Sequence, residues 1–172
     1  VAEGKFPVLI FSHGQYSKAS GYYALMEEIV SQGFIVLNIN HTYESVGTLF
    51  PSNEIKLFSM EYDRENNNEE MGIMVWEAME VLKNATDENK RIESVNHLLK
   101  NYIAAEITHR WANDFDLVVD QIPEWEKNSF LASHLDLAKI GAFGHSQGGS
   151  AACQALLVNP KISAGINVDG AQ

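Results

Sequence analysis

The segment Lys139-Ile-Gly-Ala-Phe-Gly-His-Ser-Gln-Gly-Gly-Ser-Ala-Ala-Cys153 decides the fold of this chain. Its first half is an apolar strand end, and its second half is a run of small residues suited to a closely packed helix. Between them, Gly144-His-Ser-Gln-Gly148 fits the pattern G-x-S-x-G. Glycines two positions before and after the serine let strand and helix approach without a Cβ clash. The segment therefore predicts a sharp turn that exposes Ser146 above a sheet as a nucleophile.

Composition and charge restrict the function classes open to the chain. Its 172 residues are 45% hydrophobic, which suffices for one domain, residues 1–172, with a single core. The formal net charge of −11, from 23 acidic and 12 basic residues, disfavours nucleic acid and anionic membrane surfaces, because both are bound through Lys and Arg. A neutral or zwitterionic lipid interface stays open.

The sequence predicts no membrane insertion, metal or cofactor. It has no run of 18 apolar residues and no visible signal peptide, so we expect a soluble protein, cytoplasmic or secreted after processing. Cys153 is the only cysteine, which excludes an internal disulfide. Glu106-Ile-Thr-His109 has the spacing of a metal-bundle motif, but a second such pair is lacking, and no phosphate loop or zinc pattern occurs.

The N-terminal part of the chain predicts a βαβ unit. Phe6-Pro-Val-Leu-Ile-Phe11 is a continuous apolar run, typical of a strand buried in a parallel sheet. We expect a helix with Ser20 as its N-cap that ends at Gly33, followed by a strand over Phe34-Ile-Val-Leu-Asn-Ile39. The crossover should be right-handed.

A helical insertion is predicted at about residues 51–109. The polar segment 61–70 indicates a solvated loop, and residues 71–82 and 92–103 each place apolar side chains on one helical face. These faces either pack on the sheet or on another helix, or form a cap that contacts substrate. Both alternatives are open.

A helix is predicted next, over about residues 108–122 and ending at Pro123. Arg110 and Asp114 are spaced within it for a structural ion pair. The last two strands are then the one that enters the elbow and a strand at 162–168. This order predicts an α/β-hydrolase-type three-layer sandwich with a mostly parallel sheet and a helical insertion before the elbow strand.

Four strand ends place polar residues at one edge of this sheet, where sites form in open α/β folds. Acyl transfer needs a nucleophile, a base, an acid that orients the base, and N–H donors for the oxyanion. Ser146 is the predicted nucleophile and Asp169 the predicted acid. The backbone N–H groups of Gln15 and Gln147 are the expected oxyanion donors. The predicted rim comprises His13-Gly14-Gln15, His41-Thr42, His145-Ser146 and Asp169-Gly170.

The general base has no candidate at its expected place. In this fold class the triad order is Ser, acid, His, and no histidine follows Asp169. We expect His145 to point away from the serine hydroxyl and His13 to be a structural part of the oxyanion loop. For His41, a substrate-side or structural role is favoured over that of the base. The other histidines are placed in the insertion, at a helix start and in a loop: His97, His109 and His134.

Six ordered motifs cover nearly the whole chain outside the insertion: Phe11-Ser-His-Gly14, Gln32-Gly-Phe-Ile-Val36, the Arg110-to-Gln121 helix with Asp114 and Asp120-Gln121, Asp136-Leu-Ala-Lys-Ile140, Gly144-His-Ser-Gln-Gly-Gly149 and Val168-Asp169-Gly170. Together they resemble the platelet-activating factor acetylhydrolase group of the dienelactone-hydrolase-like α/β-hydrolases. The resemblance implies the same nucleophile, acid and oxyanion amides, and metal-free hydrolysis of short or oxidised acyl esters, including those of phospholipids.

Relative to that family, the chain begins at the third strand and ends before the histidine. We therefore expect an internal fragment of a longer hydrolase, truncated at both ends and with little turnover of its own. The expected function is that of a serine esterase acting on a small-molecule ester or lipid, with the histidine of a Ser-Asp-His triad beyond the fragment. The alternatives are another α/β-hydrolase, such as a lipase, polyester or dienelactone-type hydrolase, and a non-catalytic binding protein on the same scaffold.

Overall fold

A computed structural model describes residues 2–171 of the chain. Strands and helices alternate near both ends of the described residues, with a run of helices between them, and a short 3-10 helix at Ala19–Tyr22 precedes the first α-helix. The elements are β1 (Phe6–Ser12), α1 (Tyr23–Ser31), β2 (Ile35–Ile39), β3 (Gly47–Leu49), β4 (Ile55–Leu57), α2 (Met60–Asn66), α3 (Glu69–Asn84), α4 (Glu88–Asn101), α5 (Ile103–Asn128), β5 (Leu135–His145), α6 (Gln147–Val158) and β6 (Ala164–Val168).

The central sheet has four strands in the order β2-β1-β5-β6, and every neighbouring pair is parallel. The last residue of β1, Ser12, pairs with Ile39 of β2 on one side and with Gly144 of β5 on the other. The carboxyl ends of these strands therefore lie level at one edge. This confirms the predicted mostly parallel sheet and brings the loops after the strands together.

The core follows from the apolar runs of the sequence. Val8, Ile10 and Phe11 of β1 are buried, as expected of a strand covered on both faces. In α5 the buried side chains recur every three or four residues and so form one stripe. Burying each such large side chain stabilises the fold by about 1.5–3 kcal/mol. The stripe consists of Trp111, Phe115, Val119 and Ile122.

The predicted bounds of α5 are wrong at both ends. The helix begins at Ile103 and continues through Pro123 to Asn128, although proline lacks an N–H and costs about 3 kcal/mol inside a helix. Contacts beyond the proline offset this cost: Glu126 accepts a hydrogen bond from the backbone N–H of Leu135 at 2.8 Å and pairs with Lys5 at 2.6 Å. Such long-range contacts do not show in local sequence patterns.

Three other local predictions are wrong. Much of the segment 61–70 is helical, because Ser59 and Asn68 accept N-terminal N–H groups of α2 and α3. Ser20 lies within the 3-10 helix and is not the N-cap of α1. The helical face predicted over 92–103 is interrupted, since α4 ends at Asn101 and α5 begins two residues later. The β3–β4 hairpin was also unforeseen, because three-residue strands are too short to show alternation.

The chain divides into two compact units. One extends up to Phe58 and resumes at Thr108, and it contains the parallel sheet and every candidate site residue. The other, Ser59–Ile107, contains α2, α3 and α4. Within it α3 packs on α4, where the buried hydroxyl of Ser94 donates to the carbonyl of Ala78 at 2.9 Å. The role of this second unit, packing or cap, stays a prediction.

Candidate active site

Ser146 occupies a strained turn between β5 and α6. Its backbone has φ 52° and ψ −124°, a positive-φ conformation that L-residues rarely adopt and that costs about 1–3 kcal/mol. Its N–H donates to the carbonyl of Val168 at 2.8 Å, and its carbonyl accepts the N–H groups of Gly149 and Ser150 at 2.8 and 3.1 Å. These three hydrogen bonds hold the serine in the geometry of a nucleophile elbow.

The two glycines of the motif are required by close packing. A Cβ on Gly144 would lie less than 3.0 Å from backbone atoms of Gly148, across the elbow. A Cβ on Gly148 would lie less than 3.0 Å from the carbonyl oxygens of Ser12 and His13, at the end of β1. The N-terminus of α6 therefore packs directly against the end of β1 and the loop that follows it.

Gly14 brings that loop against Ser146. A Cβ at Gly14 would lie 2.9 Å from Nδ1 of His145 and 3.3 Å from Cβ of Ser146. The N–H of Gly14 donates to the Tyr22 hydroxyl at 3.2 Å, and its carbonyl accepts the N–H of Ser17 at 3.2 Å. Gln15 thus lies in a tight turn beside Ser146.

Gln147, the first residue of α6, is fixed through its side chain. Its Nε2 donates to Oγ1 of Thr108 in α5 at 2.7 Å. N–H groups of a first helical turn point outward along the helix axis and carry the positive end of the helix dipole. The backbone of Gln147 therefore faces the same edge as Ser146, while its side chain is tied to α5.

Asp169 follows β6 directly and is exposed. Its φ of 59° lies in the left-handed region, which aspartate tolerates better than most residues. The turn is closed by Asn167, whose Oδ1 accepts the N–H of Gly170 at 2.7 Å and whose Nδ2 donates to the carbonyl of Gly170 at 3.1 Å. Together with the bond between Ser146 and Val168, this turn places Asp169 at the edge that carries the elbow.

His41 lies in a buried hydrogen-bonded chain. Its Nδ1 contacts Oδ2 of Asp114 at 2.6 Å, so this nitrogen carries the proton and donates. Its Nε2 accepts a hydrogen bond from the hydroxyl of Ser12 at 2.8 Å. Its ring stacks on Trp111, with the ring centroids 3.8 Å apart and the ring planes 5° from parallel. Burial lowers the pKa of His41, against the opposing effect of Asp114. Ser12 is fully buried, so this Ser-His-Asp chain cannot present a nucleophile to solvent.

His13 is also buried and neutral. Its Nδ1 donates to the carbonyl of Gly14 at 2.7 Å, and its Nε2 accepts the backbone N–H of His41 at 3.3 Å. Burial lowers the pKa of His13 to about 4, and the bond to Gly14 opposes that shift only in part. His13 therefore stabilises the backbone of the β1 loop through these two hydrogen bonds.

The predicted ion pair between Arg110 and Asp114 does not form. Asp114 turns to His41, and Arg110 forms an ion pair with Glu44 in the loop after β2. Glu44 also accepts from Nε1 of Trp111 at 2.8 Å. Glu44 thereby supplies the acceptor that the indole N–H of the fully buried Trp111 requires.

Sequence reasoning missed several residues that organise this edge. Tyr22, Ser12, Asp114, Thr108 and Asn167 all contact the candidate residues or their loops. Ser12, Thr108, Asp114 and Tyr22 have partners 29, 39, 73 and 123 positions away, so no local spacing marks these contacts. Ser12 and Asp114 were visible only as members of two of the ordered motifs, and Asp114 was assigned to Arg110.

Two further properties concern the described part of the chain. Among residues 2–171, no three His, Cys, Asp or Glu side chains are grouped to hold a metal ion. Over the same residues, no helix combines the length and apolar character needed to cross a bilayer.

The parallel sheet, the elbow and the facing β1 loop define an α/β-hydrolase fold. A ferulic acid esterase from Streptomyces cinnamoneus has a similar structure, with a TM-score of 0.63 and 22% identity over 98% of this chain and 38% of that chain. The family described as platelet-activating factor acetylhydrolase, isoform II, matches residues 1–171. The chain belongs to this family, which confirms the resemblance seen in the sequence.

Curated relatives agree with that assignment. The chain is 27% identical over 173 residues to the platelet-activating factor acetylhydrolase of Canis lupus familiaris, and 29% identical over 170 residues to that of Cavia porcellus. Each alignment covers 96% of this chain and 35% of the relative. The chain thus spans about a third of the length of these relatives.

Proposed function

We propose that this chain carries the nucleophile and the triad acid of a serine esterase that hydrolyses carboxylic esters. The observation that carries the proposal is the backbone of Ser146, held at φ 52° by hydrogen bonds while the β1 loop packs beside it. Strain of this kind persists where the surrounding structure enforces it, and it is concentrated at functional sites.

The oxyanion donors in this proposal are the N–H groups of Gln15 and Gln147. The N–H of Gly14 already donates to Tyr22, so the next amide along the loop is the one left to face a substrate oxygen. Gln147 begins α6, where the helix dipole favours negative charge. Of the predicted rim residues, His13, Gly14 and His41 are buried and His145 is half-buried, so only His145 is partly accessible beside the two amides.

In the proposed reaction, Oγ of Ser146 attacks the ester carbonyl carbon and transfers its proton to a histidine. The carbonyl π-electrons move to oxygen, and the two amides stabilise the oxyanion. Collapse expels the alcohol, which takes the proton from the histidine, and leaves an acyl-serine. Water then attacks the acyl-serine with the same base, releasing the acid and restoring Ser146.

Asp169 is the proposed acid that orients the histidine. His13 and His41 are buried with low pKa values, and both ring nitrogens of each contact protein groups. Nδ1 of His145 contacts Tyr22. We therefore propose that the base comes from sequence outside these 172 residues, in a loop facing Asp169.

The proposed substrate is a short-chain or oxidised acyl ester, including the acetyl ester of a phospholipid. This choice follows from the similarity to platelet-activating factor acetylhydrolases, and the acidic balance of the chain is compatible with neutral or zwitterionic esters. The reaction as proposed uses only protein groups and water.

The test uses the natural full-length protein with p-nitrophenyl acetate, p-nitrophenyl octanoate and platelet-activating factor. We expect hydrolysis of the acetyl esters, with a lower kcat/KM for the octanoyl ester. Ser146→Ala should abolish all three activities above the residual rate. Retained hydrolysis in that variant would refute the proposal.

A further inference from the structure

We propose that Tyr22 is a positioning residue for the esterase reaction, because its hydroxyl joins the loop carrying Gln15 to the elbow carrying Ser146. This inference rests on the proposed function. Two hydrogen bonds meet at one oxygen: the Gly14 N–H donates to Oη at 3.2 Å, and Oη lies 2.9 Å from Nδ1 of His145. Tyr22 and His145 are 123 residues apart in sequence.

The ring of Tyr22 is held by packing, so its hydroxyl has a defined position. Tyr22 ends the 3-10 helix, and its ring lies 4.8 Å from that of Phe11 at an angle of 58°. It packs on the core cluster formed by Phe11, Met26 and Phe143. The centroid of the His145 ring lies 5.7 Å from that of Tyr22. A rigid aromatic side chain therefore carries the bridging oxygen.

The direction of the two hydrogen bonds is set by their chemistry. An amide N–H can only donate, so Oη accepts from Gly14. The phenolic proton is then directed to Nδ1 of His145, which accepts, and this selects the Nε2–H tautomer of the imidazole. These two hydrogen bonds connect the β1 loop, through the Tyr22 hydroxyl, to His145, the residue before the nucleophile.

The two hydrogen bonds of Tyr22 control the position of the oxyanion donor that the proposed reaction needs. Fixing the N–H of Gly14 restrains the loop in which the N–H of Gln15 is the next donor. A Cβ added at Gly14 would lie only 3.3 Å from Cβ of Ser146, so the loop is close to the elbow and a small shift of it changes the distance from the Gln15 N–H to the oxyanion. Oxyanion donors act on the transition state, so misplacing one lowers kcat more than it changes KM.

The test replaces only the hydroxyl, with Tyr22→Phe in the natural full-length protein. The matched control is Tyr23→Phe, whose side chain is exposed in α1. For p-nitrophenyl acetate we expect Tyr22→Phe to lower kcat about tenfold, equivalent to about 1.4 kcal/mol, with KM within about twofold. Binding of a boronic acid that forms a tetrahedral serine adduct should weaken by a similar factor, while Tyr23→Phe changes neither.

His145→Leu removes the other end of the bridge and supplies a second variant. If the two residues act through one hydrogen bond, the double variant should lose no more kcat than the larger single loss. Multiplicative losses in the double variant, or unchanged kcat and boronate affinity in Tyr22→Phe, would overturn the positioning role. If either of these results is obtained while Ser146→Ala is inactive, the positioning role of Tyr22 is refuted but the proposed function is not. Equal hydrolysis by wild type and Ser146→Ala would remove both.

Discussion

The backbone N–H of Ser146 donates to the carbonyl of Val168 at 2.8 Å, and Asp169 is the next residue. Both Ser146 and Asp169 have positive φ, 52° and 59°. The elbow and the turn after β6 are therefore joined through the main chain, independently of either side chain. Substitutions that change only the functional atoms should leave this framework intact, so they separate chemistry from folding.

Asp169→Asn should lower kcat by about 10³ to 10⁴ without destabilising the fold. The amide no longer favours the correct tautomer or stabilises the charged histidine, while Asn167 still closes the turn. The assay is ester hydrolysis by the natural full-length protein, with Tm measured in parallel. Asp120→Asn, at an exposed ion pair with Lys161, is the control and should retain full activity. Activity of Asp169→Asn near that of the control would remove Asp169 from the triad.

Gly148→Ala should destabilise the protein strongly, because the added methyl group would collide with the carbonyl oxygens of Ser12 and His13. Overpacking of this kind costs about 1–3 kcal/mol and more where backbone must move. Gly72→Ala is the matched control, since its Cβ would meet nothing within 4 Å and alanine favours the interior of α3. Urea unfolding should show a large loss for the first variant and no loss, or a slight gain, for the second. Equal stabilities would contradict the close packing of elbow and loop.

The free energy of unfolding should fall as the pH is lowered from about 6.5 towards 4. Burial lowers the pKa of His13 from 6.5 to about 4 and also lowers that of His41, so the unfolded chain binds protons that the folded chain does not. Each such group contributes a slope of up to about 1.4 kcal/mol per pH unit. Between pH 6.5 and 5.5 few carboxylates titrate, so urea unfolding there isolates the histidines. A flat or opposite dependence would show that these rings are not buried as neutral groups.

His41→Ala should lower the free energy of unfolding by about 3 kcal/mol. It removes a ring stacked on Trp111 and leaves the Ser12 hydroxyl without its buried partner. His109→Ala, exposed on α5, is the control. In the folded full-length protein, kcat should stay within about tenfold of wild type, because His41 is proposed to support the loop and not to transfer protons. Loss of activity equal to that of Ser146→Ala, with stability unchanged, would identify His41 as the base instead.

The strands and the elbow were predictable because their signals are local. Four strands and the ends of their loops follow from apolar runs, and the glycines of the motif mark a place where backbones meet closely. The strained turn at Ser146 could be inferred from five consecutive residues.

The supporting contacts were not predictable in the same way. His41 and Asp114 are 73 positions apart, and Arg110 pairs with Glu44, which is 66 positions away in the loop after β2. Pro123 stays within α5 because contacts of Glu126 with other elements offset its local cost. These outcomes depend on which buried polar groups meet after folding, and spacing along the chain does not encode that.

The central claim is that Ser146 is the activated nucleophile. The direct measurement treats the natural full-length protein with a fluorophosphonate probe and locates the adduct by peptide mass spectrometry. The account predicts one adduct, on Ser146, and none in Ser146→Ala. Ser12 is the informative comparison, since it too has histidine and aspartate partners but is fully buried. An adduct on Ser12 or any other serine, with Ser146 unmodified, would contradict the account.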